Sequence, residues 1–298
     1  EELIRRFNTR DQARFYVEHM GASFAEYQAA HDAYHASAAH LRSVLQGFIR
    51  SQWVDREFLP NFLFGDRDLV VTLGPDGLVV NTAKYLNGQP LVALNPDLAR
   101  IDGVLVPFHV GAAESVLRST LGGSPAIMSV TMARAQLNDG QSIEAVNDLF
   151  IGRRTHVSAR YRLQFRSRAE RQSSSGIIVS TGAGSTGWRR SVLAGAAAIV
   201  AAAQPGSDTS PARDGYRFAW NEQRLVFMVR EPFASKVSAA ELVHGEIRPD
   251  SSLEIVSEMP QDGVIFSDGI EEDRLDFNSG AIASIGLSDR VLRLVVAG

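Results

Sequence analysis

The residues best suited to chemistry lie in one run, residues 176–191, with the sequence GIIVSTGAGSTGWRRS. Three β-prone apolar residues lead into a loop of Gly, Ser and Thr, which opens a long alanine-rich helix predicted over residues 185–203. Free backbone N–H groups and the positive end of the helix dipole both favour a phosphate at such a point. The sequence therefore predicts a site for a nucleotide or another phosphorylated ligand.

Part of this loop, from Gly182 to Gly187, also matches the G-x-G-x-x-G fingerprint of dinucleotide-binding enzymes. That fingerprint requires a βαβ unit and an acidic residue about 20 residues further on. Here a Pro/Ser loop follows the helix, and Asp208 lies inside that loop. Residues 216–220 and 224–230 are predicted to form an antiparallel pair of strands. A Rossmann dehydrogenase is therefore the less favoured interpretation.

A second interpretation uses the whole loop. Residues 180–188, STGAGSTGW, resemble the S-T-P-T-G-S-T-A-Y segment of the ATP-dependent NAD kinase family. Residues 71–77, VTLGPDG, resemble the family's G-G-D-G-T loop at the end of a strand, and residues 145–148, AVND, resemble its N-E/D motif. Residues 266–269, FSDG, are similar to the S-D-G near its C-terminus. These segments occur in the family's order.

The resemblance implies both a fold and an activity. The fold would be a Rossmann-like α/β domain followed by a β-rich, β-sandwich-like domain, with the site in the cleft between them. The activity would be transfer of a phosphoryl group from ATP to the 2′-hydroxyl of the adenosine ribose of NAD, giving NADP, with Mg²⁺ bridging the donor phosphates. Asp76 would hold that hydroxyl or accept its proton. The family's habits also imply a homo-oligomer, a dimer or a tetramer.

Other family positions are expected to bind the two nucleotides. They are Gly74, Gly77, Asn95, Asn147, Asp148, Ser175, Thr181, Gly184, Ser185, Thr186, Gly187, Trp188 and Ser191. Asn95 and Ser175 belong to segments that resemble a divergent branch of the family, which includes the mitochondrial NAD kinase of animals. No metal-ligating residues are expected, because His109 and His156 have no second ligand at metal spacing.

Two departures from the family pattern leave alternatives open. Pro75 replaces a glycine and removes one backbone N–H, and Leu78 replaces a threonine and removes a hydroxyl. A phosphate cradle should weaken as its donors vanish, so a non-catalytic NAD(P)-binding sensor is one alternative. A related kinase acting on a lipid or sugar is another, although Asn147 and Asp148 argue for a dinucleotide.

Some of these residues also have purely structural explanations. Pro75, Asp76 and Gly77 are ordinary turn chemistry and could form a hairpin. Asn147 and Asp148 could form a bulge or turn inside a strand predicted over residues 144–151. Arg189 and Arg190 oppose the helix dipole; a nearby phosphate would offset this, or both could be solvated surface charges.

The periodicity of apolar residues divides the chain into three predicted parts. Residues 1–50 are predicted to form helices with no counterpart in the family, residues 51–124 an α/β domain, and residues 125–298 a β-rich domain. The resemblance implies that the α/β domain binds a nucleotide and that the β-rich domain binds NAD. Helices are predicted from about residue 79 to 86 and over 111–121. Strands are predicted over residues 68–73, 90–95, 127–135, 142–151, 158–165, 176–180, 224–230, 252–256, 263–266, 281–285 and 291–296.

Composition limits the remaining possibilities. The formal net charge of −4 over 298 residues argues against a nucleic-acid partner. No apolar run is long enough to span a membrane, and no signal peptide is visible, although the chain does not begin with Met. The absence of cysteine excludes disulfides, thiolate metal sites and cysteine nucleophiles, and we expect a cytoplasmic location.

Overall fold

A computed structural model describes residues 2–47, 50–123, 125–204, 206 and 215–297. Its helices are α1 Glu2–Phe7, α2 Arg10–His19, α3 Phe24–Gln46, α4 Asp76–Ala83, α5 Ala113–Leu121 and α6 Trp188–Ala203. Short 3-10 helices occupy Arg56–Asn61, Val110–Ala112 and Gly184–Thr186. Three predicted features include positions outside the described residues. They are the boundary at residues 124–125, the end of the helical part predicted over residues 1–50, and much of the Pro/Ser loop.

Fifteen strands form two sheets in the described part of the chain. They are β1 Val70–Leu73, β2 Pro90–Asn95, β3 Phe108–His109, β4 Ala126–Leu137, β5 Ser142–Ala145, β6 Asp148–Arg153, β7 Ala159–Phe165, β8 Arg168–Ser174, β9 Ile177–Ser180, β10 Leu225–Val229, β11 His244–Ile247, β12 Leu253–Ser257, β13 Gly263–Ser267, β14 Ile270–Asp276 and β15 Ile282–Val296.

The larger sheet joins a parallel part to an antiparallel part. Its main order is β1-β2-β15-β12-β7-β8, with β3 beside β2, and with β4 beside both β15 and β5. The pairs β1–β2, β2–β3 and β2–β15 are parallel, and the other pairs are antiparallel. The sheet is continuous through β15, so the division into two domains stays a prediction.

Helices cover both faces of the parallel part. Leu91 and Ala93 of β2 pack in a cluster with Val79 and Val80 of α4, whereas Val92 and Leu94 pack with residues of α3 and α5. Because both faces are covered, β2 is an apolar run rather than an alternating one. This is the α/β arrangement that the sequence predicts for residues 68–121.

The second sheet packs face to face on the antiparallel part of the first. Its order is β11-β10-β9-β6-β13-β14, and every pair is antiparallel. The shared core includes Tyr161 and Leu163 of β7 and Phe227 of β10, all fully buried. In β7 buried residues alternate with exposed ones, as expected for a strand with one face on the core. This half is therefore the expected β-sandwich.

The sequence analysis missed β3, which has only two residues, and the strands β8, β11 and β14, which lie at sheet edges. Their sequences, RAERQSS, HGEI and IEEDRLD, are rich in charge and lack an apolar pattern. Charged residues are common on sheet edges because they discourage pairing with another chain. A method based on apolar alternation cannot find such strands.

Five predicted elements or boundaries were wrong. The strand predicted over residues 142–151 is divided into β5 and β6, because residues 146 and 147 form a turn. Residues 216–220 form no strand, and β10 pairs with β9 and β11 instead. Residues 281–285 and 291–296 belong to one long strand, β15, whose register with β4 shifts between Leu287 and Val291. α4 begins at Asp76 and α6 at Trp188, three residues before and after the predicted starts respectively.

Candidate functional site

The glycine loop that follows β9 is tied to the turn between β5 and β6. Thr181 is fully buried; its hydroxyl donates to the carbonyl of Val146 (2.5 Å) and its backbone N–H donates to the carbonyl of Asn147 (2.9 Å). The N–H of Gly184 donates to the Thr181 hydroxyl (3.2 Å). Because β9 is antiparallel to both its neighbours, the loop is not part of a βαβ unit, and the Rossmann interpretation is excluded.

Two glycines of the loop are required by close backbone approach. A Cβ atom at Gly184 would overlap the carbonyl oxygen of Asn147, and one at Gly182 would overlap that of Ala219. Any side chain at either position would push two backbone segments apart. The loop glycines therefore serve the packing of the site, whatever contacts they also make with a ligand.

The turn at residues 146–148 is organised by a carboxylate from another hairpin. Asp268 lies between β13 and β14 with φ of 55°, and its carboxylate accepts the backbone N–H groups of Val146 (3.1 Å), Asn147 (2.7 Å) and Asp148 (3.2 Å). The N–H of Asp268 donates to the carbonyl of Asp148 (2.9 Å). We call residues 146–148, residues 180–184 and Asp268 the carboxylate junction.

The junction brings two carboxyl groups close to each other. Burial raises the pKa of Asp148 to about 7; the Ser180 hydroxyl, which donates to this carboxylate, opposes the rise, and the charge of Asp268 adds to it. Burial also raises the pKa of Asp268 to about 6, against the charge of Lys84 and the three N–H donors. Such pairs titrate together. Shifted carboxyl pKa values of this kind are concentrated in functional sites.

Lys84 closes the junction from the α4 side. It is only 7% exposed, and its ammonium donates to the carbonyl of Ser267 (3.3 Å) and pairs with Asp273 (3.3 Å). The junction thus holds a cation beside its two carboxyls. This charge keeps Asp268 more acidic than burial alone would make it.

An aromatic cluster lies beside the junction at the start of α6. The indole of Trp188 is 39% exposed and meets the rings of Phe150 and Phe266 edge-on, with centroids 6.0 Å and 6.2 Å away. Those two phenyl rings stack on each other at 4.9 Å. The indole is therefore fixed on one side and open on the other, which leaves it able to stack on a planar ligand ring.

The two arginines after Trp188 have different surroundings. Arg190 is exposed, with its guanidinium over the ring of Tyr216. Arg189 is only 9% exposed, and in the described residues its Nε and Nη1 atoms have no hydrogen-bond partner. Burial and the nearby charge of Arg224 lower the pKa of Arg189. The expectation of solvated surface charge is therefore wrong for Arg189.

Residues 74–77, which we call the G-P-D-G segment, connect β1 to α4 and do not form a hairpin. Pro75 is the N-cap of α4, and Asp76 is its first residue. One carboxylate oxygen of Asp76 accepts the N–H of Leu105 at 2.5 Å. The other oxygen has no hydrogen bond within the part of the chain that the structure describes. Asp76 therefore anchors the loop after β2 and keeps one oxygen available.

A cavity of about 440 Å³ opens beside this segment. Both neighbours of Asp76, Pro75 and Gly77, line it, and so do Gly74 and Asp268. Further walls come from the loop after β2, from α3 and from the start of the first 3-10 helix. We call this space the α3 cavity. Asp268 lies both in the carboxylate junction and on the wall of the α3 cavity.

The structure brings most of the predicted site residues together. Asn147, Asp148, Thr181 and Gly184 belong to the junction, and Gly74 and Gly77 line the α3 cavity. The others of the loop are Ser185, which is buried, Thr186, which is half-buried, and Gly187, Trp188 and Ser191, which are exposed.

Two predicted site residues lie elsewhere or are occupied. Ser175 precedes β9, at the opposite end of this strand from the glycine loop, so it is not brought into the junction. Asn95 is buried, and its amide is used locally: it donates to the carbonyl of Ile101 (3.0 Å) and accepts the N–H of Asp97 (2.9 Å). Asn95 thus shapes the loop that lines the α3 cavity.

Sequence reasoning did not assign roles to Asp268, Lys84 or Tyr34. The first was within reach, because the S-D-G resemblance included it and an Asp-Gly pair often forms a hairpin turn. Lys84 and Tyr34 gave no signal, since a lysine at the end of a helix and a tyrosine on a helix are ordinary. Among the described residues no three His, Asp or Glu side chains come together as a metal site.

No protein-family model matches the chain. The sequence is similar to a probable NADH kinase of Oryza sativa subsp. japonica, with 26% identity over 221 residues, which is 68% of this chain and 63% of the rice protein. The chain therefore spans less than two thirds of that relative's length.

Two solved structures have a similar fold. Yeast NADH kinase complexed with NADH gives a TM-score of 0.56 at 18% identity, covering 78% of this chain and 62% of that one. An NAD kinase from Archaeoglobus fulgidus in complex with ATP gives a TM-score of 0.58 at 15% identity, and the match covers 87% of this chain and 88% of the archaeal chain. The predicted fold class and the resemblance to NAD kinases are confirmed.

No helix in the described residues is long and apolar enough to cross a membrane. The cytoplasmic location, the homo-oligomer and the use of Mg²⁺ stay predictions.

Proposed function

We propose that this protein, which has the fold of NAD kinases, transfers a phosphoryl group from ATP to the 2′-hydroxyl of the adenosine ribose of NAD or NADH. The observation that carries the proposal is the position of Asp268. It orders the Asn147–Asp148 turn on one side and lines the α3 cavity beside the G-P-D-G segment on the other. The motifs for the acceptor and the cavity for a donor therefore meet at one residue.

The acceptor would bind along the junction and the exposed face of Trp188. That indole is fixed by two phenyl rings, so it can stack on a base with little loss of side-chain freedom. The side chain of Asn147 is half-buried and has no hydrogen bond within the described ranges, so its amide is available to ribose hydroxyls. One carboxylate oxygen of Asp148 accepts the hydroxyl of Ser180, and the second oxygen would bind the acceptor.

The transfer step assigns Asp76 to the ribose hydroxyl. Its free carboxylate oxygen would accept the proton of the 2′-hydroxyl group. At the same time the ribose 2′-oxygen would attack the γ-phosphorus of ATP, and ADP would leave. The bond from the γ-phosphorus to the bridging oxygen breaks as the new P–O bond forms. Mg²⁺ would arrive with the donor phosphates, which explains why no cage of three protein ligands is needed.

The names of the relatives support both redox forms of the acceptor. The rice and yeast proteins are named NADH kinases, and the archaeal protein is named an NAD kinase. Because the two acceptors differ at the nicotinamide and not at the adenosine ribose, the same transfer chemistry serves both. Comparing kcat/KM for NAD and for NADH in the same assay measures the preference between them.

The first experiment is a coupled assay with and without Asp76→Asn. The protein, Mg²⁺, ATP and either NAD or NADH are incubated, and product is detected with a dehydrogenase specific for the phosphorylated dinucleotide. We expect product from the wild type, and a fall in kcat of about 10²–10⁴-fold in the variant, since the proton acceptor is lost. NAD affinity, measured by calorimetry, should stay nearly unchanged.

Two results would contradict this assignment. Wild-type protein that binds NAD tightly but forms no product would indicate a sensor rather than a kinase. A collapse of NAD affinity in Asp76→Asn would show that the carboxylate is structural, through its bond to Leu105. The exposed residue Asp66 is a suitable control, because Asp66→Asn removes a carboxylate outside the α3 cavity.

A further inference from the structure

The α3 cavity has a wall that comes from outside the family resemblance. Ala30 and Tyr34 of α3 line it, together with Arg56 at the start of the first 3-10 helix. The motifs that resemble NAD kinases begin only at about residue 65. The N-terminal helices, for which the sequence suggested no role, therefore contact the space beside the G-P-D-G segment.

The position of Tyr34 follows from the packed face of α3. Ala38 and Leu41 are 5% and 3% exposed and pack in the cluster that covers β2. Ser37 anchors the same face, because its hydroxyl donates to the carbonyl of Pro96 at 3.0 Å. Tyr34 is one turn earlier on this face, yet it is 43% exposed. It is open to solvent because it meets the α3 cavity rather than the core.

The cavity lining carries two guanidinium groups, Arg56 and Arg100, beside two carboxylates, Asp97 and Asp268. Arg56 has neither a hydrogen bond nor an ion pair in the part of the chain that the structure describes. Arg100 pairs with Asp97 through one nitrogen at 2.6 Å, and its other N–H groups have no partner within the described ranges. Guanidinium groups with free N–H donors suit phosphate oxygens. They lie where Pro75 has removed a backbone donor from the loop.

Both carboxylates of the lining already have partners: Asp97 pairs with Arg100, and Asp268 accepts the three backbone N–H groups of the junction. The remaining lining is apolar. Leu78 replaces the family's threonine, and Ile101, Ile270 and Pro96 contribute further apolar surface beside the ring of Tyr34. The cavity of about 440 Å³ has an exposed aromatic ring, apolar walls, one arginine without an ion pair in the described residues and a second whose ion pair with Asp97 uses one nitrogen. These features fit a ligand with one flat ring and negatively charged groups. A purine nucleoside triphosphate has this chemistry.

We propose that α3 and Arg56 complete the phosphoryl-donor site: Tyr34 stacks on the base of ATP, and Arg56 and Arg100 bind its phosphates. This inference rests on the proposed kinase function for the identity of the donor. It explains how the loop can lack two phosphate donors and still serve a kinase, since the arginines replace them. The N-terminal helices then have a function in donor binding.

The test varies ATP at saturating NAD and compares Tyr34→Ala and Arg56→Met with the wild type. We expect KM for ATP to rise about tenfold in each variant, through loss of the stacking contact or of the charged hydrogen bonds, while KM for NAD stays unchanged. Tyr34→Phe keeps the ring and should keep the wild-type KM. Tyr27→Ala, elsewhere on α3, and Arg67→Met, on the surface, are matched controls outside the cavity.

Calorimetry with ATP alone separates this inference from the proposed function. If the wild type binds ATP and both variants lose that binding, the donor site stands even when no NADP is formed. If the wild type forms NADP and the variants keep its KM for ATP, the donor site is elsewhere and only this inference fails. Unchanged thermal unfolding temperatures ensure that the variants are folded.

Discussion

The carboxylate junction and the α3 cavity lie side by side, share Asp268, and are built in opposite ways. In the junction, three backbone N–H groups converge on one carboxylate, and Thr181 ties the loop to the next turn. In the α3 cavity, Arg56 has no partner among the described residues and the ring of Tyr34 is open. One region uses most of its polar groups for folding, whereas the other leaves the Arg56 guanidinium unpaired within the described residues.

This difference indicates how the two substrates would be handled. A site whose donors are already satisfied binds by shape and costs little reorganisation, because its geometry is fixed before the ligand arrives. A site with free guanidinium groups gains from each phosphate it receives. We therefore expect the acceptor region to be sensitive to changes in stability, and the donor region to be sensitive to changes in charge.

The largest effect on stability should come from removing the carboxylate that holds the junction. Asp268→Ala leaves three N–H groups without their acceptor, and we expect the free energy of unfolding to fall by about 3 kcal/mol. Asp268→Asn keeps an oxygen for some of these groups and should lose less. Chemical denaturation with urea measures both.

Asp262→Ala is the matched control for this comparison. Asp262 also has a positive φ, 59°, but its side chain only pairs with Arg153 near the surface at 3.4 Å. If both alanine variants lose the same stability, the loss comes from the backbone conformation, and the junction is not held by the carboxylate.

The next effect is a pH dependence that only the junction should show. The pKa of Asp148 rises from 3.8 to about 7 on folding, so the native state holds a proton that the unfolded chain has released. Between about pH 4 and 7 the native state binds more protons, and raising the pH through this window must lower its stability. We expect thermal unfolding of the wild type to move to lower temperature from pH 5 to pH 8.

Asp148→Asn should make this pH profile flatter, because the amide has no proton to lose and can still accept from Ser180. Asp250→Asn, a change at an exposed carboxyl, should reproduce the wild-type profile. An Asp148→Asn profile as steep as that of the wild type would show that burial does not raise the pKa of this carboxyl.

The smallest effect concerns a buried charge beside the junction that is not paired. Arg189→Met should raise the free energy of unfolding by about 1 kcal/mol, because a desolvated charge without a partner costs more than its contact with the Phe218 ring returns. Arg190→Met removes the same charge one residue later, at an exposed position, and should change stability by less than about 0.5 kcal/mol. Equal effects in urea denaturation would place Arg189 in solvent.

Sequence patterns predicted the apolar strands and the order of the motifs but missed the charged strands at sheet edges. β1, β2 and β9 are apolar runs bounded by turn residues, and such runs are recognisable because both faces are buried. β8 and β14 carry charge along most of their length and follow no apolar pattern. They form strands because the backbone N–H and C=O groups of a neighbouring strand pair with theirs. That pairing depends on the neighbouring strand and not on their own sequence.

The site was predictable to the same extent. The glycine loop was located from local chemistry, since glycine and short polar residues have strong local preferences. Asn147 and Asp148 were located from the family resemblance and were placed inside a predicted strand. The connection through Asp268 was not predicted, because that contact joins positions 122 residues apart. Tyr34 was not found either, since its exposure depends on a cavity formed by segments distant in sequence.

The sequence by itself determined the layered α/β part, the β-rich part, and a glycine-rich loop before a long helix. These follow from apolar periodicity and turn chemistry, which act over a few residues. Only the tertiary structure decided that Asp268 is shared by two regions, that Arg189 is buried with two nitrogen atoms lacking a hydrogen-bond partner in the described residues, and that α3 borders the cavity. Each of these depends on which surfaces pack together, and packing is a property of the whole chain.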